Sequence, residues 1–198
     1  TADSGGGTVA IKGPASTTGN AAIELTVPGT GSGTLAVGDT GKILQVVSTT
    51  KTDTASFASA NTSNFTDISG LSVSITPSST SSKILVVATV AAAVGTGSLH
   101  VRLARGSTGI AVGDSSSNRL SSTMSRRSAS SIYNLEITPM SFNFLDSPNT
   151  TSATTYKVQA TAGSTYNTTV YVNRSSGDND YSYGARVAST ITVMEVAA

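Results

Sequence analysis

The sequence predicts an all-β protein: a jelly-roll-like β-sandwich preceded by an extended N-terminal arm. Three observations predict it. Apolar residues recur with a period of two almost everywhere along the chain. The runs are separated by clusters of Ser, Gly, Pro, Asn and Asp, the residues that turns require. No segment carries the three-to-four-residue apolar spacing of an amphipathic helix.

Residues 1–40 form the expected arm and assembly segment. Glycine-rich pieces around Gly5 and Gly29 flank two short strand-like runs, 8–12 and 21–27. So little apolar surface does not fold alone, and the segment is expected to order against a neighbouring chain. Residues 41–198 form the expected sandwich domain. Its first run, 43–47, is apolar except for Gln45. Leu71, Val73 and Ile75 then alternate with Ser72 and Ser74. The run 84–94 is apolar but for Thr89; Pro77 and a serine cluster precede it and Gly95 follows. Its β-branched first half favours a strand over a helix, central in its sheet and covered on both faces.

Leu99, Val101 and Leu103 resume the alternation. The stretch 112–131 has little strand character, and is read as a long loop holding Arg119, Arg126 and Arg127 among serines. A loop of that length is either functional or mobile. Alternation returns at Met140, Phe142 and Phe144, at Tyr156 and Val158, at Val170 and Val172, and at Ile191 and Val193. Such alternation places the apolar side chains of each run on one face. About eight to ten strands divided by polar turns give a sandwich or jelly roll.

Composition excludes several functions. The chain has 198 residues, no cysteine and a formal net charge of +1. Without cysteine there is no disulfide or cysteine–zinc framework. The near-zero charge supplies no basic field, so no nucleic-acid partner is expected. No apolar run approaches the ~20 residues that cross a bilayer, so no membrane insertion is expected. No charged start precedes an apolar stretch, so no secretory signal is read. Charged residues are 12% and hydrophobic residues 37% of the chain. Serine and threonine make up roughly a third of it, well above ordinary usage. The polar surface is therefore neutral hydroxyl, which suits close packing within an assembly.

Catalytic constellations are poorly supplied. His100 is the one histidine, and its strand phase makes it a surface or interface residue rather than a base. Glu24, Glu136 and Glu195 lie far apart in sequence, so nothing favours a carboxylate pair. No enzymatic activity, cofactor or metal is expected. Asp178, Asn179 and Asp180 offer alternating oxygens as calcium loops do, but lack the glycine of the tight turn and the distal glutamate. They read as a polar hairpin tip. Tyr181 and Tyr183 flank Ser182 beside that tip. Either both rings are exposed for contact with carbohydrate or protein, or one packs inward at strand spacing.

Several stretches resemble bacteriophage structural proteins, especially tail-fibre and related receptor-binding proteins. The first begins Gly41-Lys42-Ile43-Leu44-Gln45-Val46-Val47 and continues through Phe65-Thr66-Asp67-Ile68-Ser69-Gly70 to Ser82-Lys83-Ile84-Leu85-Val86. The second is Phe144-Leu145-Asp146-Ser147-Pro148, followed by Thr155-Tyr156-Lys157-Val158. The third is the ending, Thr190-Ile191-Thr192-Val193-Met194-Glu195-Val196. Gly13-Pro14-Ala15-Ser16 in the arm is similar to the short repeats that lead into fibre domains. The resemblance implies a virion component made in the host cytoplasm, a homotrimer of β-sandwich domains joined to other virion proteins through the arm. It implies a tail-fibre or receptor-binding domain that contacts a host surface glycan or protein. A capsid decoration, cement or head-fibre protein on the phage head is the alternative. The expected target-contact loops hold Arg119, Arg126 and Arg127, and Asp178, Asp180, Tyr181 and Tyr183.

Overall fold

A computed structural model describes residues 41–59, 64–128, 135–163 and 168–198. The expected arm, with Glu24, and residues 129–131 of the expected loop lie outside the described residues. Eleven β segments make up the regular structure of the described residues: β1 Ile43–Lys51, β2 Ala55–Ser59, β3 Thr66–Ile75, β4 Lys83–Val94, β5 Gly97–Arg105, β6 Thr108–Ile110, β7 Met124–Ser128, β8 Thr138–Asp146, β9 Thr154–Gly163, β10 Thr168–Val172 and β11 Ser189–Val196. No helix occurs among them.

Six of these segments lie end to end in pairs. β11 fills one edge of β4 from Lys83 to Thr89, and β10 continues along that edge from Ala92 to Val94. β1 and β2 pair with β11 and β10 in turn. β6 and β7 share one edge of β5. Three end-to-end pairs reduce the eleven segments to eight strands. In chain order, one sheet then runs first, eighth, third, sixth, and the other second, seventh, fourth, fifth, all antiparallel. That is the strand order of a jelly roll, as the sequence predicts.

The alternation read from the sequence is the register of the core. Ile84, Val86 and Val90 of β4 face inward with Ile191 and Val193 of β11, against Leu71, Leu99, Leu103 and Val158 of the opposite sheet. Each such side chain contributes about 1.5–3 kcal/mol by leaving water. β4 is central in its sheet, as expected, but is not covered on both faces. Ala91 and Ala93 are buried, whereas Val87, on the outer face of its first half, is 40% exposed.

A buried carboxylate bonds at each of two places on the inner faces. Asp146 of β8 accepts from Arg105 Nη1 (2.8 Å) and from the buried Tyr156 hydroxyl (2.6 Å), tying one sheet to the other. Burial, and then the adjacent Asp146, push the Tyr156 pKa above its ordinary value. Glu195, fully buried on β11, accepts from Gln45 Nε2 (2.5 Å), Ser78 N (2.7 Å) and Ser78 Oγ (2.6 Å). It joins β1 and β11 to the connection between β3 and β4. Burial alone would raise its pKa; the hydrogen bonds from Gln45, Ser78 and Ser82 outweigh that and hold it at about 2.

Glu195 therefore makes stability acid-sensitive. Its pKa falls on folding from the ordinary 4.5 to about 2. Its contribution is complete above about pH 4.5 and is lost as pH drops toward 2. Glu195→Gln should cost about 1–3 kcal/mol at pH 7, since buried donors then face a neutral acceptor. Urea unfolding at pH 7 and pH 3 should show the variant weaker at pH 7 and less pH-dependent than the wild type.

Candidate functional site

The two end-to-end junctions at β6/β7 and β10/β11 release segments 111–123 and 173–188 from the middle of strands. Both exits use a left-handed residue that is not glycine: Ala111 (φ 53°) after β6 and Asn173 (φ 60°) after β10. Asparagine tolerates that conformation better than most residues. Asn173 is also fully buried and uses its whole amide. Its Nδ2 donates to Lys51 O (2.8 Å) and Asp53 O (2.9 Å), bridging the gap between β1 and β2. Its Oδ1 accepts from Ser189 Oγ (2.6 Å), which closes the neck of the excursion. The backbone N of Asn173 donates to Ala91 O, and Ala91 N donates to Ser189 Oγ. The neck is thus bonded directly to the central strand.

The shorter excursion is closed by Thr123. Its N donates to Val101 O (2.9 Å), and its Oγ1 accepts from Leu103 N (3.0 Å). Inside it, Arg119 N donates to Ser116 O and Arg119 Nη1 to Ser116 Oγ, leaving the arginine exposed on a tight turn.

The tip of the longer excursion has an internal ion-pair cluster. The Asp178 carboxylate lies 3.2 Å from Arg174 Nη1 and 2.6 Å from Arg186 Nη2. Arg174 lies over the Tyr171 ring at 4.5 Å. Tyr181 N donates to Asn179 O, and Gly184 N to Tyr181 O. A side chain at position 184 would crowd those two carbonyls at 3.2–3.3 Å, so glycine suits the close turn. The rings of Tyr181 and Tyr183 stack on each other, 5.0 Å between centroids and 21° between planes. They are 51% and 71% exposed. A concavity of about 250 Å³ opens beside them, lined by Ser175, Asp178, Asn179, Asp180, Gly184 and Arg186 among others.

The predicted residues are therefore partly brought together. Asp178, Asp180, Tyr181 and Tyr183 share one excursion. Arg119 sits on the other, with no hydrogen bond, ion pair or ring contact to that group among the described residues. Arg126 and Arg127 are a correction: they lie on strand β7, not in a loop. With Met124 as its one apolar residue, β7 shows no hydrophobic alternation, and its backbone pairing to β5 defines it. Arg126 stands opposite Leu99 and forms an ion pair with Glu136; Arg127 stands opposite Ser98 and is exposed. The expected hairpin tip is also corrected, because β10 and β11 run on along one edge of β4 rather than folding back on each other. The calcium-like spacing has another use, since two guanidinium groups occupy Asp178. Neither tyrosine packs inward.

Arg174, Arg186, Asn173 and Ser189 belong to this site and carried no sequence signal. His100 does not belong to it. It stands on β5 against Gly163, half-buried, and burial lowers its pKa.

What the arrangement offers is an aromatic platform with polar groups at its margin. The Asp180 carboxylate has no partner among the described residues and remains an acceptor. Arg186 and Asn179 supply donors. Ring faces with flanking acceptors and donors suit a ligand that is apolar on one face and hydroxylated at its edges.

The neck and the platform should separate cleanly in unfolding. Asn173→Gly should cost about 1–3 kcal/mol through the lost amide bonds. Asn173→Ala should cost about 1 kcal/mol more through the left-handed backbone. Replacing Tyr181 and Tyr183 together by Ala should change stability by less than about 0.5 kcal/mol. Urea denaturation of the three variants measures all of this. No protein-family model matches the chain, and no curated protein matches it.

Proposed function

We propose that this chain is a structural component of a bacteriophage virion, a tail-fibre or receptor-binding domain that contacts the host surface through the 178–183 platform. The observation that carries the reading is the stacked tyrosine pair. Two large rings stand in solvent, contribute little to the core, and rest on a neck built from fully buried polar bonds. Exposed aromatic surface on a rigid support is the usual form of a contact site. The resemblance of 41–54, 65–86 and the last strand to phage fibre proteins points the same way.

The surface ligand is a glycan or glycan-bearing protein. A sugar ring stacks its apolar face on tyrosine while its hydroxyls donate to Asp180 and accept from Arg186. The domain binds and does not transform its ligand. Each site is shallow, so affinity comes from valency: a homotrimer presents three platforms, and linked weak sites gain roughly 10²–10⁴ in avidity. The arm joins the domain to other virion proteins.

Competition for adsorption tests this. Purified protein should adhere to host cells and block adsorption of the phage that carries it. The Tyr181→Ala/Tyr183→Ala double variant should lose roughly tenfold or more in blocking potency, a change of about 1.4 kcal/mol or more. A wild-type protein that neither adheres nor competes, and that labelling places on the phage head, would instead establish the decoration reading.

A further inference from the structure

We infer that the outer face of the sheet formed by β1, β11, β4 and β8 is where a second copy of this chain packs. The inference rests on the reading of the chain as an oligomeric virion component and names the surface that joins its copies.

The registers define that face. Val46, Met194, Leu85 and Leu145 stand side by side, one from each strand, in a single row across the sheet. They alternate with the inward-facing residues of the core, so the row lies on the outside. Val46 is 56% exposed and Leu145 is 53% exposed. The next two rows run from Ser48 to Asn143 and from Thr50 to Ser141. They hold hydroxyls, one amide and Val87, itself 40% exposed. No position in the three rows is charged.

The outer face of the other sheet is built differently. There Lys157 Nζ and Gln159 Nε2 both donate to Asp67 (2.6 Å each), and Arg102 donates to Gln159 Oε1. One sheet carries a charged ladder suited to water, and the other an apolar row backed by neutral hydroxyls. An exposed sheet face normally carries charges against unwanted packing. These three rows have none, Lys83 standing one row beyond them with its Nζ on Ser147 Oγ (2.8 Å), and four of their six hydroxyls bond in pairs across strands, Ser48 with Thr192 (2.8 Å) and Thr89 with Ser141 (3.0 Å). Already paired, they lose little when water is removed.

Charge selects the occupant. A partner carrying charges at the contact would leave them buried and unpaired. Another copy of this chain, turned to the same symmetry axis, brings the same uncharged rows, so it meets no such penalty there.

The chain has no cysteine, which makes a single introduced thiol a clean reporter. Full-length protein is measured by light scattering, alongside Val87→Lys and Leu145→Lys. The lysines point away from the core, so the domain keeps its circular-dichroism spectrum. We expect an oligomeric wild type and association weakened roughly a hundredfold or more in each variant, because a charge is then buried without a partner. Ser72→Lys, on the exposed outer side of β3, should leave assembly unchanged. Val87→Cys should cross-link between copies under mild oxidation, and Ser72→Cys should not; this reading survives even if the lysine variants misfold. A monomeric wild type overturns the inference. So does a thiol at position 87 that is shielded from maleimide in a monomer, which would assign the cover to residues 1–40, or one that stays open, which would assign the face to another protein. An oligomer indifferent to both lysines overturns it as well. A monomer that still blocks phage adsorption would end this inference and leave the proposed function standing; an oligomer joined by this face that binds no host would do the reverse.

Discussion

β4 presents one uninterrupted edge of backbone donors and acceptors, and the chain returns to that edge with two separate segments. β10 takes the end from Ala92 to Val94, and β11 takes the rest from Thr89 to Lys83. A buried edge tolerates no orphaned backbone groups. The residues at the junction must therefore satisfy the ladder while fifteen others, from 174 to 188, leave it and return. Asn173 and Ser189 do so with their side chains, which is why two small polar residues sit fully buried in the centre of a sheet. The position of the tyrosine platform follows from this constraint, because the excursion can only begin and end where the ladder is closed behind it. The same solution recurs in the other sheet, where Thr123 completes the edge of β5.

The fold was legible because its core is written in period two. Each long strand with alternating Val, Ile, Leu or Phe was found, and the preference for a strand at 84–94 over an alanine-rich helix holds. What escaped was structure defined by backbone pairing instead of side-chain pattern. β2, with one Phe among Ala and Ser, is one case, and β7 is another. Joining segments into composite strands was equally hidden, because a strand that stops and resumes looks like two strands with a hairpin between them. Glu195 is different: it is in phase with Ile191 and Val193, so the alternation already placed a carboxylate inside. Its partners on β1 and before β4 are distant in sequence and could not be read.

The candidate site was legible in half. Asp178, Asp180, Tyr181 and Tyr183 stood out as an acidic and aromatic cluster, and they do sit together. That the carboxylate at 178 is neutralised within the excursion depends on Arg174 and Arg186, whose meeting the sequence does not announce. The two tyrosines stack on each other and stay more than half exposed, so the pair is ordered by ring contact and not by burial. Polar groups are thus used in two ways in one domain: as paired hydroxyls on a sheet face, and as an ion-pair cluster in the same excursion as the stacked tyrosines.

The excursion that holds the two tyrosines is anchored on the central strand of its sheet. Native-state amide hydrogen exchange tests it most directly. The amides of Ala91 and Asn173, at the junction, should exchange as slowly as those elsewhere in β4 and open only with the whole domain. Exchange at those two amides as fast as that in the excursion itself would mean that the neck opens independently of the core and is not anchored on it.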